Sequence, residues 1–596
     1  MRRRPCIRAA LALLTTVPLL VGVLPGVASA DPGTNYAIDD PFTADRTQAW
    51  RADRFGMFIH FGAYSNLEGE YIRTDGTVCR NAEWIQRECA IPRDAYEARA
   101  ATFNPADFDA EAVAQAAEDA GQRYIVITSK HHEGYAMWPT KVNDWNLRDH
   151  SSFDQSRDIM AELKAATEKR GIKLGFYYSI WDWHDPDFAD PATFPAYEQR
   201  MYAQLKELVD NYDPSILWFD GEWSTENPHN PWTERDGERL ETYVRSLSPD
   251  IVINNRVGKR RVVDGDTGTP EQEIPEAPVA GQLWESCMTL NGSWGFAKWD
   301  QNWKSPTELT RNLIDIAGRS GNYLLNVGPD ARGRIPTEST QRLAQLGSWL
   351  SQNGAAVYGA QAPGIVAEPS WGAVSRTGDT LYASVYDWAD TLTLDALAPF
   401  DVTGARVLGS DAPVTASRDG DTVTIAPSGE PTNDIATVIE LTVATPDAAG
   451  AAEGTGLSAS FWPTAGLAGE PTVTRTDPTV NYNWKYTGSP DPALAPEPFS
   501  GRWTGELEAP YTETFTVTTV SDDTVRLWVG DQLLIDNTTP HGPAVDQATV
   551  TLTAGQRYPI RLEHTEQGGE ASMKLLWSSP NTPQQVIPTE RLYPAG

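Results

Sequence analysis

From about residue 45 to residue 350, runs of residues typical of buried β-strands alternate with helix-like stretches. This alternation is the sequence feature that constrains the fold most strongly. Helical patterns such as "DAEAVAQAAEDAG" and "RDIMAELKAATEKRG" separate the runs, and the second pattern ends in Lys and Arg before a glycine, as many helices do. Strands that alternate with helices at this spacing predict a parallel sheet. The predicted strands are "FGMFIHFG" (55–62), "YIVITSK" (124–130), "IKLGFYYS" (172–179), "SILWFDG" (215–221), "IVINNR" (251–256), "GQLWESC" (281–287) and "NYLLNVGP" (322–329).

These strands predict the α/β class and a (β/α)8-like TIM barrel over residues 31–355, with one strand missed or irregular. A doubly wound open sheet is the alternative. It is weakened because no glycine-rich phosphate turn follows the first strand.

Two β-rich regions follow the barrel. Residues 356–445 contain short alternating runs such as "LYASVYDW" and "ATVIELTV", which predict a small antiparallel β domain. The Ala/Gly-rich residues 446–456 predict a linker. Residues 457–596, with "YTETFTVTTVSDDTVRLWVGDQLLIDN", predict a second β-rich module.

The first thirty residues have the pattern of a secretory signal peptide. "MRRRPCIRAALALLTTVPLLVGVLPGVASA" combines a basic start, an apolar centre and small residues at Ala28 and Ala30. We expect cleavage after Ala30 and export of the mature chain. No other stretch is apolar and long enough to predict a membrane span.

The charge of the chain argues against an anionic partner. The sequence contains 81 acidic and 48 basic residues, a formal net charge of -33. Such a chain repels nucleic acid and anionic membrane surfaces. A neutral partner is expected, and the 21 tryptophans hint at carbohydrate, because indole faces pack well against the C–H surfaces of sugars.

Three cysteines remain after the predicted signal peptide. Cys79 and Cys89 lie close together in "GTVCRNAEWIQREC", and in an oxidising compartment we expect them to form a disulfide. Cys287 would then be unpaired and is expected to be a small buried residue.

Polar side chains collect where the predicted strands end, which is where the chemistry of a barrel enzyme sits. Three of the eight histidines fall at these positions. The strand-end residues, and those that follow shortly in the chain, are His60, His131, His132, Tyr177, Tyr178, Asp220, Asn255, Arg256, Glu271 and Glu285.

Three other interpretations of these residues are weaker. A metal site at His131 and His132 is disfavoured because neighbouring strand residues point to opposite sides, and no HxH or HExxH spacing occurs. A catalytic serine is disfavoured because no GxSxG motif occurs. Asp220 alone could be a helix N-cap, a common role for an aspartate after a strand.

Paired carboxylates within a ring of aromatic and polar side chains are what a retaining glycosidase needs. One ionised carboxylate attacks the anomeric carbon. A second carboxyl group, roughly 5 Å away, protonates the leaving oxygen and later activates water.

Several sequence blocks resemble the family 29 glycoside hydrolases, the α-L-fucosidases. They are "RFGMFIHFGAYS", "SKHHEGYAMW", "GFYYS", "LWFDG", "WESCMTLNGSWGF" and "NYLLNVGPDARGRIP". The resemblance implies a (β/α)8-like barrel, a C-terminal β-sandwich, retention of configuration, no cofactor for catalysis, and Asp220 as the nucleophile. It also implies a fucose pocket lined by His60, Glu70, Tyr71, His131, His132, either Tyr177 or Tyr178, Trp218 and Arg256.

The position of the acid/base varies within this family, so two residues compete. Glu271 lies on the loop after the "NNR" strand, and Glu285 lies in the "WESC" segment. Glu271 is favoured because a loop carboxyl can approach the leaving group from the open side. Glu273 is a third candidate.

The last module, 457–596, is similar to PA14 domains. Some of these bind sugars through calcium held by two adjacent aspartates, which correspond here to Asp522 and Asp523, and oxygen ligands suit calcium. A simple acidic turn is the alternative for this pair.

The sequence thus predicts a secreted retaining exo-α-L-fucosidase that acts on fucosylated glycans, with a PA14-like module that engages a glycan. The alternatives are a non-catalytic fucose-binding surface lectin, and an α-L-galactosidase that uses the same barrel.

Overall fold

A computed structural model describes residues 41–223, 232–276 and 278–596. The predicted signal peptide, 1–30, lies outside these residues. The eight strands of the first sheet are β1 (Phe55–Ile59), β2 (Tyr124–Lys130), β3 (Lys173–Ser179), β4 (Ile216–Asp220), β5 (Val252–Ile253), β6 (Thr267–Gly268), β7 (Leu283–Thr289) and β8 (Asn322–Val327).

All neighbouring strands of this sheet are parallel, in the order β5-β4-β3-β2-β1-β8-β7-β6. A parallel bridge between Asn254 and Thr267 joins the two edge strands. The predicted barrel is therefore confirmed, and the open doubly wound alternative is wrong. The strand missing from the sequence prediction is β6, whose two residues are too few to show a hydrophobic pattern.

The helices cover most of the outside of the barrel. Two connections between strands, 254–266 and 269–282, have no α-helix among their described residues and contain only a 3₁₀ turn, Asn255–Val257. The helices are Asp45–Asp53, Ile85–Glu88, Arg93–Ala100, Ala110–Asp119, Ile159–Glu168, Phe194–Tyr212, Glu234–Leu247, Pro306–Gly318 and Thr337–Asn353, with further 3₁₀ turns at Ala63–Leu67 and Gly354–Ala356.

The barrel strands are buried along almost their whole length, as expected of a parallel sheet covered on both faces. The register aligns their carboxyl ends, so that Ile59 lies opposite Val327 and Ser179 lies opposite Asp220. Polar residues at these ends therefore meet at one mouth.

The barrel is followed by two small antiparallel sheets that share a core formed by residues such as Leu381, Ile425 and Ile439. This is the β-sandwich that the resemblance implied. One sheet contains Gly372–Thr377, Thr380–Val385, Thr437–Ala444 and Asp401–Val407, and the other contains Leu392–Asp395, Thr422–Pro427 and Val414–Asp419.

The C-terminal module is also built from two antiparallel sheets, around a core that includes Trp484 and Trp503. The first sheet contains Val473–Asp477, Leu457–Trp462, Phe499–Glu508, Arg557–Glu566, Thr524–Val529, Gln532–Asn537 and Leu592–Pro594. The second, which we call the docking sheet, contains Asn481–Lys485, Ala571–Ser579, Glu513–Asp522, Ala544–Leu552 and Thr582–Val586.

The segment predicted as a linker, 446–456, is hydrogen-bonded to the C-terminal module. The backbone amides of Ala451 and Ala452 donate to the carboxylate of Glu508, and the amide of Gly456 donates to the carbonyl of Leu592. Its Ala/Gly composition is typical of a flexible tether, but these contacts fix it along the module.

Cys79 and Cys89 form the predicted disulfide, with an S–S distance of 2.01 Å. Cys287 is a buried free thiol, as predicted. Within the described ranges, no helix combines the length and the apolar character that a membrane crossing requires.

Candidate active site

A cavity of about 140 Å³ opens at the carboxyl ends of the barrel strands. It contains charged, polar and aromatic groups from nearly every strand end. Its lining residues are Phe58, His60, Glu83, Trp84, His131, His132, Tyr177, Trp218, Asp220, Trp223, Arg256, Arg260, Glu271, Cys287 and Trp294.

Asp220, the last residue of β4, lies in this pocket and is 7% exposed. The backbone of the preceding residue, Phe219, is held from the neighbouring chain segment. The side-chain amide of Asn254 accepts from the Phe219 N–H at 2.8 Å and donates to the Phe219 carbonyl at 3.0 Å. The Tyr177 hydroxyl donates to Asp220 Oδ2 at 2.8 Å, and Arg256 Nη1 donates to Oδ1 at 2.8 Å. Both oxygens are thus held in a defined orientation.

Arg256 connects the two predicted carboxylates. While its Nη1 binds Asp220, its Nη2 donates to Glu271 Oε2 at 2.8 Å, and its Nε donates to Thr269 Oγ1 at 2.9 Å. The guanidinium also lies 4.6 Å from the centre of the Trp218 ring. Burial opposes its charge, but Asp220 and the neighbouring acidic groups outweigh this effect and raise the pKa of Arg256 above its usual value.

His60 is held as a neutral hydrogen-bond acceptor toward the pocket. Asn326 Nδ2 donates to the Trp294 carbonyl at 2.7 Å, so Asn326 Oδ1 accepts from His60 Nδ1 at 2.7 Å. This arrangement leaves Nε2 of His60 without a proton. Burial, followed by the neighbouring His131, lowers the pKa of His60 to about 3, so the ring is uncharged.

His132 has the same tautomer for a similar reason. The Ser179 hydroxyl donates its proton to the Trp181 carbonyl at 2.6 Å, so its oxygen accepts from His132 Nδ1 at 2.7 Å. Nε2 of His132 is therefore an acceptor, 3.7 Å from Asp220 Oδ2. Burial and the nearby His131 lower the pKa of His132 well below its usual value.

Both His131 and His132 line the pocket, contrary to the expectation that they point to opposite sides. That expectation was wrong because β2 ends at Lys130, and the two histidines belong to the turn that follows it. Their ring centres are 4.2 Å apart. Nevertheless, in the described part of the chain, no group of three or more His, Cys, Asp or Glu side chains is arranged to hold a metal.

Of the two candidate tyrosines, Tyr177 lies in the pocket and Tyr178 does not. The Tyr178 hydroxyl donates to Gln204 Oε1 at 2.7 Å, on the helical side of the sheet, and its ring lies 4.5 Å from Lys130 Nζ. Successive strand residues point to opposite faces, so only one of the pair can reach the mouth.

Glu285 does not line the pocket but lies beneath its floor, 2% exposed. Tyr124 donates to Glu285 Oε2 at 2.5 Å, and Trp218 Nε1 donates to Oε1 at 3.1 Å. Glu285 is therefore outside the pocket in which the sequence analysis placed it as an acid/base candidate, and it supports the ring of Trp218 instead. The residue follows an apolar stretch within β7, and this strand directs its side chain into the barrel interior.

Glu70 and Tyr71 are also outside the pocket lining. They lie in a short hairpin formed by Glu70–Ile72 and Val78–Arg80, where Glu70 pairs with Arg80 at 3.0 Å and with Lys298 at 3.2 Å. The next carboxylate–aromatic pair in the chain, Glu83 and Trp84, lines the pocket instead.

The disulfide explains how Glu83 and Trp84 reach the site. Both residues lie between Cys79 and Cys89, so the disulfide closes the loop that carries them. Glu83 Oε2 accepts from the Gly295 amide at 2.9 Å, and the Trp84 ring lies 5.0 Å from that of His132. Their position in the short loop between two cysteines expected to pair was the signal that could have identified them.

Sequence reasoning also missed Glu222, a further carboxylate two residues after Asp220. It forms an ion pair with Arg260, whose Nη2 lies 3.9 Å from Asp220 Oδ1. Burial, followed by the charge of Asp220, raises the pKa of Glu222 to about 6. The site therefore contains four acidic side chains, Asp220, Glu271, Glu83 and Glu222, beside Arg256 and Arg260.

Comparison with known proteins identifies the family. The family model described as α-L-fucosidase matches residues 29–355, more than half of the chain. The family model of the PA14 domain matches residues 453–591. The chain belongs to the α-L-fucosidase family. It is thus an enzyme of the glycoside hydrolase class, with a PA14 domain at its C-terminal end.

Individual relatives agree with this assignment. Tissue α-L-fucosidase of Homo sapiens is 29% identical over 453 residues, which cover 71% of this chain and 93% of that protein. α-L-Fucosidase isoenzyme 1 from Paenibacillus thiaminolyticus is 32% identical with a TM-score of 0.59, covering 67% of this chain and 99% of that one. An α-L-fucosidase from Bacteroides thetaiotaomicron is 27% identical with a TM-score of 0.62, covering 67% of this chain and 97% of that one.

Replacing Glu285 with glutamine is expected to change how stability depends on pH. Burial raises the pKa of Glu285 to about 7 from an ordinary value of 4.5. Between these pH values the unfolded chain releases the proton and the folded chain keeps it. The free energy of unfolding therefore falls as pH rises from 4.5, and the total loss reaches about 3 kcal/mol above pH 7.

Glu285→Gln removes this titration, so its stability relative to the original protein should increase between pH 5 and pH 8. Denaturant unfolding at both pH values measures the difference. Glu430→Gln, at an exposed glutamate, is the control and should follow the original protein at each pH. Parallel pH curves for Glu285→Gln and the original protein would contradict the assignment.

Proposed function

We propose that this protein is a secreted retaining exo-α-L-fucosidase in which Asp220 is the nucleophile and Glu271 is the acid/base. The observation that carries the proposal is the bridge formed by Arg256, which binds both carboxylates in one pocket. Asp220 is nearly buried, whereas the Glu271 side chain is 40% exposed and stands at the open side. A leaving group and an incoming water molecule can both reach Glu271.

The first step forms a glycosyl-enzyme. A carboxylate oxygen of Asp220 attacks C1 of the fucosyl residue, and the bond from C1 to the leaving oxygen breaks. Protonated Glu271 gives its proton to that oxygen. In the second step, Glu271 takes a proton from water, the water oxygen attacks C1, and the bond to Asp220 breaks. Two inversions at C1 retain the anomeric configuration.

The relative from Bacteroides thetaiotaomicron supports this route, because its structure contains a trapped covalent intermediate with 2-fluoro-fucosyl fluoride. The same chemistry in this chain requires a carboxylate that is held but not blocked. Tyr177 and Arg256 each donate one hydrogen bond to Asp220 and leave room for attack on the pocket side.

The size and lining of the pocket support exo-action on a terminal deoxyhexose. A cavity of about 140 Å³ is smaller than the pockets of about 300–1,000 Å³ that hold drug-sized ligands. The bare Nε2 atoms of His60 and His132 would accept hydrogen bonds from sugar hydroxyls. Phe58 and Trp294 offer apolar surface for a C6 methyl group, which a 6-hydroxyl would fit less well.

Secretion is supported by the sequence of residues 1–30 and by one structural feature. The Cys79–Cys89 disulfide closes the loop that brings Glu83 and Trp84 to the pocket. Disulfides persist in oxidising compartments outside the cytosol. We infer export with cleavage after Ala30.

The C-terminal PA14 domain is proposed to bind a glycan with the help of calcium at Asp522 and Asp523. Both are buried beside Glu566, whose Oε2 has no hydrogen-bond partner in the part of the chain that the structure describes. Burial and the charge of Asp523 raise the pKa values of both Asp522 and Glu566 to about 8. Because the described side chains do not form a ready group of three metal ligands, calcium would have to complete its shell with backbone oxygens and water, ligands that it accepts.

Removing the nucleophile should abolish turnover of an aryl α-L-fucoside. Asp220→Gly is expected to lower kcat about a thousandfold or more, and added azide should partly restore it, because the anion fits beside Arg256 and attacks C1. The product with azide should have the inverted configuration. Full activity of the variant would contradict the role of Asp220.

Removing the acid should affect poor leaving groups selectively. Glu271→Ala is expected to lower kcat/KM about a hundredfold or more on a fucosyl disaccharide and far less on an aryl fucoside with an acidic phenol. Glu276→Ala, at an exposed glutamate of the same loop, is the matched control, and Glu273→Ala tests the third candidate. Equal losses on both substrates, or faster turnover of an aryl α-L-galactoside by the original protein, would contradict the proposal.

Calcium should stabilise the full-length protein if it binds the PA14 domain. At a concentration of 100 times its dissociation constant, a ligand adds about 2.7 kcal/mol to stability, which a thermal melt resolves. Asp523→Asn should lose this gain, whereas Asp531→Asn, in an exposed turn of the same domain, should retain it. An equal gain in both variants would place calcium elsewhere.

A further inference from the structure

Among their described residues, two neighbouring crossovers of the barrel lack the α-helix that normally covers a parallel sheet. Residues 254–266 connect β5 to β6, and residues 269–282 connect β6 to β7, without an α-helix among their described residues. Parallel sheets need cover on both faces because their strands are apolar throughout. Another part of the chain must therefore cover this sector.

The docking sheet of the C-terminal module provides this cover. Val263 of the first crossover packs into one apolar cluster with Val520, Leu576 and Val586 of the docking sheet. At Gly281, in the second crossover, an added Cβ would lie 2.9 Å from a methyl group of Val520. The crossovers and the docking sheet are therefore in direct van der Waals contact.

Polar contacts fix the orientation of the module. The backbone amide of Gly281 donates to Gln584 Oε1 at 2.6 Å, and Asn483 Nδ2 donates to the Val263 carbonyl at 3.1 Å. Lys485, which is 8% exposed, pairs with Glu241 of the barrel at 3.2 Å. These two hydrogen bonds and the ion pair require one geometry, unlike the contacts of a domain on a flexible tether.

One ion pair reaches the loop that forms part of the active site. Arg261 Nη1 binds Glu570 of the module, whose side chain is 2% exposed. From the other side, Arg261 Nη2 binds Asp264 Oδ1 at 2.7 Å, and Asp264 Oδ2 accepts from the Lys259 amide at 2.7 Å. The module thus holds the turn formed by residues 258–264.

The same loop supplies the cationic side chains of the pocket. Arg256, five residues before Arg261, binds both carboxylates, and Arg260 directly precedes Arg261. Arg260 pairs with Glu222 and approaches Asp220 to 3.9 Å. A shift of this turn would therefore move positive charge relative to the reacting groups.

We propose that the C-terminal module is a fixed part of the catalytic unit: it takes the place of two barrel helices and, through Glu570, holds the loop that presents Arg256 and Arg260 to the carboxylates. Glu570 is a positioning residue, since it acts through Arg261 and touches neither substrate nor the reacting atoms. The proposal rests on the assigned roles of Asp220 and Glu271.

The test uses point variants of the full-length chain. Glu570→Ala is expected to lower kcat for an aryl α-L-fucoside about tenfold or more, because a displacement of about 1 Å at reacting groups is costly. Its KM should change less than threefold. Glu570→Gln keeps a hydrogen bond to Arg261 and should restore most of kcat. Asp536→Ala is the matched control, because it breaks the exposed Arg526–Asp536 pair of the same module.

A double variant separates positioning from general stability. If Glu570 acts through the loop, Arg260→Ala combined with Glu570→Ala should lose little more activity than the worse single variant. The proposal is overturned if the two losses multiply, or if Glu570→Ala lowers the melting temperature but retains kcat at a temperature where it is folded. The original protein, assayed in parallel, reports separately on the proposed function.

Discussion

The buried guanidinium of Arg256 is the interaction on which the site depends. A charge removed from water costs several kcal/mol unless it is compensated. Here compensation comes from Asp220, Glu271 and the Thr269 hydroxyl, with the face of Trp218 beside them. One cation therefore fixes the spacing of two carboxylates that arise from different parts of the chain. The neutral rings of His60 and His132 add hydrogen-bond acceptors without adding charge.

Holding this cation requires support well beyond the pocket. Below it, Trp218 donates to Glu285, which also accepts from Tyr124. Beside it, the loop after β5, described in full over 254–266, contains no α-helix and rests against the docking sheet of the C-terminal module. The module that resembles an appended binding domain thus belongs to the wall of the barrel. Its acidic pair, Asp522 and Asp523, lies in the strand and turn next to this contact.

The fold was predictable because its signals are repetitive, whereas part of the site was not. Buried strands and helices recur often enough to predict the barrel, but β6 has only two residues and leaves no pattern. Glu70 and Glu83 are each followed by an aromatic residue, and only the disulfide loop decides which one reaches the pocket. Likewise, Glu271 follows a predicted strand and Glu285 lies within one, and only three-dimensional burial distinguishes the two as acid candidates.

The most direct measurement is covalent trapping at C1. Incubating the protein with 2-fluorofucosyl fluoride should inactivate it, and peptide mapping by mass spectrometry should find one fucosyl adduct, on Asp220. An adduct on a different side chain would contradict the account. So would an active preparation that turns over fucosides and never acquires a label.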